Sequence, residues 1–145
     1  MEKNHEKEAR YVALKGNLSR AIRNKFWFEA CMIEYAIIED RTYSILYYAK
    51  VAKNESKMLK TKLNSINNQI GKNHPVIAKK VDSDLIDGID KWREKRNRMV
   101  HRACNLYDEN EAEAIALEGK ILADKLSNCS AKVKRLAAGL DNQNN

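Results

Sequence analysis

Hydrophobic residues recur every three or four positions along most of this chain, the spacing that places them on one face of an α-helix. The pattern predicts one helix over residues 6–25 and a second over residues 26–53, which is apolar on nearly every side. A helix of the second kind lies centrally in a bundle or against a second subunit. A third stripe runs from Met58 to Ile70, after a break near residues 54–56.

A glycine and the single proline separate this half of the chain from two further helices. Gly71 fits the position just beyond a helix C-terminus, and Pro75 fits the start of a helical turn or loop over residues 75–81. Asp82 is a good N-cap for a fourth helix, and Asp108 for a fifth. Apolar residues step by three and four along the whole fifth helix, a seam that serves either the core or a dimer.

The composition agrees with this helical pattern. The chain has 145 residues, which suits one domain, with five glycines and one proline. We predict an all-α fold, a single-domain bundle of four to five helices over residues 1–145, with a disordered tail over about residues 141–145. The N-terminus lacks the apolar core of a signal peptide, and no apolar run is long enough to span a bilayer. We therefore expect a cytoplasmic protein that does not enter a membrane.

The net charge and the cysteines limit the kinds of partner and site that the chain is expected to have. The net charge of +7 favours a polyanion such as nucleic acid, although solubility alone also accounts for it. Three widely spaced cysteines, with no CxxC pair, indicate small buried hydrophobes in helices rather than a metal site or a disulfide. They are Cys31, Cys104 and Cys129. The aromatic residues of the second helix are expected in the core, with base stacking as the alternative.

One arginine of the fourth helix breaks the apolar pattern. On a helical wheel Arg96 lies in the middle of a narrow apolar face, four residues after Trp92 and three before Met99. Arginine is costly to bury unless its guanidinium is paired. Arg96 is therefore expected to reach an acidic partner, to lie at a subunit interface, or to line a cleft.

A carboxylate interrupts the apolar pattern of the second helix in the same way. Glu34 lies among isoleucines, where it requires a cation, and Arg41 follows further along. We predict a buried ion pair between Glu34 and either Arg41 or Arg96. Such a pair either supports a site or only fixes the register of the helices.

His101 is the candidate proton-transfer group. An imidazole both takes and gives a proton near neutral pH, although an exposed helix histidine without a role is the plainer reading. In a straight helix five residues place His101 about 140° around the axis from Arg96. A π-bulge would bring the two together, and so would a second protomer. Asn97 and His101, four residues apart, share a face.

The stretch RNRMVH, residues 96–101, resembles the R-[N/D/H]-x-x-x-H form of the Rx4-6H motif of the HEPN superfamily. Members of that superfamily are small all-α bundles, often dimeric. Many are metal-independent endoribonucleases of toxin–antitoxin, abortive-infection and CRISPR systems. The resemblance is sharp over these six residues and loose over the helix layout.

The resemblance implies RNA cleavage by attack of a ribose 2′-OH on its own phosphodiester, in the cleft of a homodimer. Two His101 side chains would transfer the protons, Arg96 would hold the phosphate, and Asn97 would orient His101 or the substrate. No metal or cofactor is implied, whereas an antitoxin or regulator protein is a further expected partner. Basic neighbours would hold the RNA backbone. They are Lys91, Arg93, Lys95, Arg98 and Arg102.

One departure from the family pattern limits the resemblance. Toxins whose antitoxin is a nucleotidyltransferase often carry a tyrosine two residues after the motif histidine, and this chain has Ala103 there. Inactivation by modification of such a tyrosine is therefore not expected, and Tyr107 lies too far along to replace it. The alternative function is a HEPN-like protein that binds RNA or a nucleotide without cutting, or a dimeric interaction protein.

Overall fold

In a computed structural model, which describes residues 4–51 and 58–143, the protein is all-α, as the sequence predicts. The described residues form six helices and no strand. The helix beyond the predicted five is a single turn within residues 75–81, where a helical turn or loop was expected. The helices are α1 Asn4–Arg23, α2 Trp27–Tyr48, α3 Leu59–Gly71, α4 Ile77–Lys80, α5 Ser83–Arg102 and α6 Glu109–Gln143.

Helices α1, α2 and α3 end in the same way, on a residue in the left-handed region that is not glycine. In each case the amide that follows this residue donates to the carbonyl oxygen five residues earlier, at 2.8–3.0 Å. This is the Schellman arrangement, which satisfies carbonyl groups at a helix end. The three residues are Lys25, Lys50 and Asn73, with φ of 59°, 62° and 55°.

These turns correct two predicted boundaries. Helix α2 ends at Tyr48 rather than at residue 53, because Lys50 turns the chain and the Val51 amide closes back on Leu46. Gly71 was predicted just beyond α3 but is its last residue, and Asn73 adopts the left-handed conformation instead. The predicted break at residues 54–56 lies outside the described residues.

The two predicted N-caps are confirmed. The Asp82 carboxylate accepts from the Asp84 amide at 2.9 Å, at the start of α5. The Asp108 carboxylate accepts from the Asn110 and Glu111 amides at 2.9 and 3.2 Å, at the start of α6. Each bond satisfies an amide that has no partner within its helix.

The C-terminal end of α6 is longer than the sequence predicts. Residues 141–143, assigned to a disordered tail, continue the helix through Gln143. The Asp141 carboxylate accepts from Lys50 Nζ at 2.7 Å, a surface contact that ties this last turn to the end of α2. An exposed ion pair contributes little free energy, but it favours the ordered conformation.

Contacts divide the chain into two compact units. The first unit comprises the described residues of Met1–Ile37 and Trp92–Ile121, and its buried residues include Trp27, Cys31 and Trp92. The second comprises those of Ile38–Lys91 and Leu122–Asn145. Its core is built mainly from aliphatic side chains. They include Ile38, Ile45, Leu59, Leu63, Ile66, Ile77, Ile86, Ile89, Leu126 and Val133. Whether residues 1–145 act as one domain stays a prediction.

Side-chain burial confirms part of the predicted core and corrects the rest. Cys31 and Cys129 are buried, as expected, but Cys104 is exposed in the turn after α5. Of the α2 aromatics, Trp27 is buried, whereas Tyr47 is 49% exposed. No helix in the described part of the chain has an apolar stretch long enough to cross a lipid bilayer.

Candidate active site around Arg96

Helix α5 carries the motif residues and runs without interruption. All of Ser83–Arg102 is α-helical, with no π-bulge in that range. Arg96 and His101 therefore keep the separation of about 140° around the axis that a regular helix imposes. The π-bulge, one of the two arrangements that would bring Arg96 and His101 together, is therefore absent. Within one protomer the two side chains lie on different faces of α5.

The Arg96 guanidinium rests on an aromatic ring of α2. Its central carbon lies 4.2 Å from the centre of the Tyr35 ring, a distance at which a cation is attracted to the ring face. Tyr35 in turn packs against Trp92, with ring centroids 6.4 Å apart and planes inclined at 33°. The indole of Trp92 is fully buried and donates through Nε1 to the Ile115 carbonyl oxygen at 2.9 Å.

Two further contacts fix the ends of the guanidinium. Arg96 Nη1 donates to the Asn97 side-chain oxygen at 3.0 Å, and Nη2 donates to the Met32 sulfur at 3.0 Å. Met32 is 43% exposed, so this end of the guanidinium lies near the surface of the protein. Arg96 is half-buried, and it occupies the apolar stripe as predicted.

A buried carboxylate and a buried thiol lie close to this arginine. Glu34 is fully buried. The pKa of the Cys31 thiol is raised to about 12 by burial and then by the Glu34 charge, while the Arg96 charge acts in the opposite direction. Both charges therefore act on the same thiol, and the predicted ion pair between Glu34 and Arg96 stays a prediction.

Arg41, the other predicted partner of Glu34, forms an ion pair with the adjacent Asp40. Its Nε also donates to the Asp40 carboxylate at 3.0 Å. The pairing of Glu34 with Arg41 stays a prediction.

His101 lies exposed in the last turn of α5. Asn97, one turn earlier on the same face, was predicted to orient His101 or the substrate, and its side-chain oxygen accepts from Arg96. Asn97 thus connects the arginine to the face of α5 that carries the histidine. His74, another histidine of the chain, has a structural role, because its Nδ1 accepts from the Val76 and Ile77 amides at 3.1 and 3.3 Å.

The five basic residues predicted to hold RNA differ in their surroundings. Lys91 and Arg98 are exposed. Lys95 donates to Glu118 at 2.8 Å, and Arg102 donates to Glu111 at 3.1 Å, so each already has a carboxylate partner on α6. The fifth, Arg93, is half-buried beside Glu94 at 3.8 Å. The positive charge available to a polyanion is therefore smaller than the sequence indicates.

The sequence did not single out Tyr35 or Met32, which are residues of α2 that contact the guanidinium. Helix α2 carries seven aromatic side chains in or next to it, and nothing in their spacing marks one of them. What the sequence did indicate is that Arg96 of α5 has a partner, because an arginine in an apolar stripe requires one. The structure shows that an aromatic face and a sulfur are among the partners of this arginine, whereas the sequence led us to expect a carboxylate.

Comparisons with known proteins do not extend the assignment: no family model, curated protein or solved structure matches the chain.

Proposed function

We propose that this chain is a metal-independent endoribonuclease of the HEPN type, which acts as a homodimer with Arg96 and His101 of both protomers in one cleft. The observation that carries the proposal is the placement of Arg96. Its guanidinium occupies an apolar stripe and is held on Tyr35, with one end at the exposed Met32. A charged side chain held at such a position is costly for the fold, as expected for a functional group.

The regular α5 supports a site shared between two chains. Because Arg96 and His101 diverge around the helix axis, one protomer does not present both to the same phosphate. In a symmetric dimer with facing α5 helices, the arginine and histidine of one chain meet those of the other.

The proposed chemistry requires only these side chains. One His101 removes the proton of the 2′-OH, whose oxygen attacks the adjacent phosphorus. The second His101 protonates the 5′-oxygen as its bond to phosphorus breaks, leaving a 2′,3′-cyclic phosphate and a 5′-OH. Arg96 donates N–H groups to the phosphate oxygens as negative charge develops on them.

A second copy of the chain is the proposed occupant of an apolar stripe on α6. Leu117 and Ile121, one turn apart in the first unit, are 43% and 56% exposed, and the exposed Ala114 precedes them. The predicted seam of α6 faces inwards, because Ala112, Ile115 and Gly119 are buried. The exposed stripe, rather than this seam, is therefore the part of α6 that we propose to lie beside the facing α5 helices in the dimer interface.

The active-site assignment is tested by incubating RNA in EDTA with wild type, Arg96→Ala and His101→Ala. We expect wild type to cleave and both variants to lose at least about a hundredfold in rate. Matched controls are His5→Ala and Arg135→Ala, which remove an exposed histidine and an exposed arginine elsewhere. Cleavage that survives both site substitutions would remove the assignment. RNA binding without cleavage by wild type would favour the non-cutting alternative.

The dimer is tested separately by light scattering and by the double substitution Leu117→Lys, Ile121→Lys. We expect wild type to be a dimer, and the variant to be a folded monomer that no longer cleaves RNA. Val12→Lys is the control, since Val12 is also an exposed apolar residue of the first unit, at 63%. A monomeric wild type that still cleaves RNA would contradict a shared site.

A further inference from the structure

Tyr35 contacts both the cation of Arg96 and the indole of Trp92. The guanidinium carbon is 4.2 Å from the centre of the Tyr35 ring, and the Trp92 ring is 6.4 Å away. Three side chains of α2 and α5 thus form a stack that leads from the core of the first unit to the half-buried arginine.

The inner end of this stack is fixed. Trp92 has no exposed surface, and its Nε1 donates to the Ile115 carbonyl oxygen of α6 at 2.9 Å. The backbone of Gly119 closes over the same indole, since a Cβ at this position would lie 2.8 Å from Trp92 Nε1. The Trp92 ring therefore provides a rigid surface for Tyr35.

At the outer end of the stack, the Tyr35 ring determines where the Arg96 guanidinium lies. An arginine side chain has four rotatable bonds, and each of Nη1 and Nη2 carries two N–H groups. Nη1 donates to Asn97 and Nη2 donates to Met32. When the ring face also holds the cation at one place, the directions of the guanidinium N–H groups are fixed.

We propose that Tyr35 is a positioning residue for Arg96, whose ring holds the guanidinium where its N–H donors meet a phosphate oxygen. This inference rests on the proposed ribonuclease function. The property that matters is the aromatic face and not the hydroxyl group, so Tyr35→Phe retains the role and Tyr35→Leu loses it.

Tyr43→Leu is a matched control on the same helix. Tyr43 is also half-buried and also lies under a cation, Lys62 Nζ at 5.7 Å from the ring centre, but it belongs to the second unit. Its replacement measures what the loss of such a tyrosine does to folding alone.

The first measurement is NMR of the arginine side chains, with the Arg96 signals identified by their loss in Arg96→Ala. An aromatic ring shifts protons above its face upfield. We expect upfield Arg96 signals in wild type, Tyr35→Phe and Tyr43→Leu, and ordinary positions in Tyr35→Leu. Arg96 signals that are unshifted in wild type, or unchanged in Tyr35→Leu, overturn the proposal.

The second measurement is RNA cleavage in EDTA, with kcat and KM determined separately. We expect Tyr35→Leu to lower kcat about tenfold with little change in KM, while Tyr35→Phe and Tyr43→Leu stay within about twofold of wild type. If Tyr35 has a purely structural role, Tyr35→Leu should lose only thermal stability, as is expected of Tyr43→Leu. That result overturns the proposal and leaves the ribonuclease function intact.

If wild type cleaves no RNA, the proposed function fails and Tyr35 is judged on binding. The probe is a 2′-O-methyl RNA oligonucleotide, which has the phosphates but lacks the attacking hydroxyl. Weaker binding by Tyr35→Leu, matching that of Arg96→Ala, together with the loss of the upfield signals, supports positioning for phosphate contact. Binding equal to that of wild type overturns it.

Discussion

The backbone of Gly119 on α6 lies directly against the carboxylate of Glu34 on α2. A Cβ at residue 119 would overlap the Glu34 oxygen Oε1 and would come within 2.8 Å of the Trp92 ring. Glu34 and Trp92 are both fully buried, so neither has room to move aside. Glycine is required here by close approach rather than by backbone conformation, because no glycine in the described chain has a positive φ.

Gly119→Ala is therefore expected to lower the free energy of unfolding by about 1–3 kcal/mol, the usual range for overpacking a core. Urea denaturation followed by circular dichroism measures the change. Gly16→Ala is the control, since a Cβ there meets nothing within 4 Å in the exposed part of α1. It should raise the free energy of unfolding by about 0.5–1 kcal/mol through helix propensity. A Gly119→Ala protein as stable as wild type would contradict the close packing.

The left-handed turn at the end of α1 gives a stabilising substitution. Lys25 adopts φ of 59°, a conformation that disfavours side chains with a Cβ by roughly 1 kcal/mol. Lys25→Gly should therefore raise the free energy of unfolding by about 1 kcal/mol, measured by urea denaturation. Lys15→Gly, within α1, should lower it by a similar amount. A loss of stability at both positions would show that the turn does not hold this conformation in solution.

The helical fold was predictable because burial repeats with the helix period, as in the buried residues Leu59, Leu63 and Ile66 of α3. Asp82 and Asp108 also marked two helix starts correctly, since an N-cap requires a particular side chain. The helix ends were harder to predict. The turns at Lys25 and Lys50 use residues that carry no turn signal, so the observed Schellman ends had no counterpart in the sequence.

Thiol reactivity should separate the three cysteines. Burial raises the pKa of Cys31 to about 12 and that of Cys129 to about 11, so neither forms a thiolate at neutral pH. Cys104 is exposed. A disulfide reagent at pH 8 should titrate one thiol in the native protein and three after denaturation. Cys104→Ser should remove the fast reaction; two or more fast thiols would contradict the burial of Cys31 and Cys129.

Stability should fall at alkaline pH, partly through Cys31. In the folded state its proton is retained up to a pKa of about 12, whereas the unfolded thiol loses it near 9.0. Its contribution is therefore complete below pH 9 and decreases as the pH rises from 9 towards 12, because ionisation then favours the unfolded chain. Urea denaturation at pH 8, 9.5 and 10.5 should show a steeper loss in wild type than in Cys31→Ala. Cys104→Ser should follow wild type, and parallel curves for Cys31→Ala and wild type would contradict the shift.

The part of the candidate site that the sequence predicted best is the unusual position of Arg96. Arg96 was identified because a cation interrupted an apolar stripe, and the structure places it half-buried there. Its contacts with Tyr35 and Met32 were not predictable, because they join residues about sixty positions apart on different helices. The sequence also showed that His101 does not share a face with Arg96 on a regular helix, and the uninterrupted α5 retains that separation.

Replacing Arg96 by methionine should separate folding from function. Methionine restores the apolar stripe between Trp92 and Met99, removes a half-buried charge and places a sulfur against Tyr35. We expect Arg96→Met to lower the free energy of unfolding by less than about 2 kcal/mol, because the restored apolar packing offsets the lost contacts of the guanidinium, and to abolish the proposed RNA cleavage. Arg98→Met, at an exposed position two residues further along, should change stability by less than about 0.5 kcal/mol. A fall of more than about 2 kcal/mol in Arg96→Met, beyond that of Arg98→Met, would show that the arginine is retained for the fold and not for phosphate chemistry.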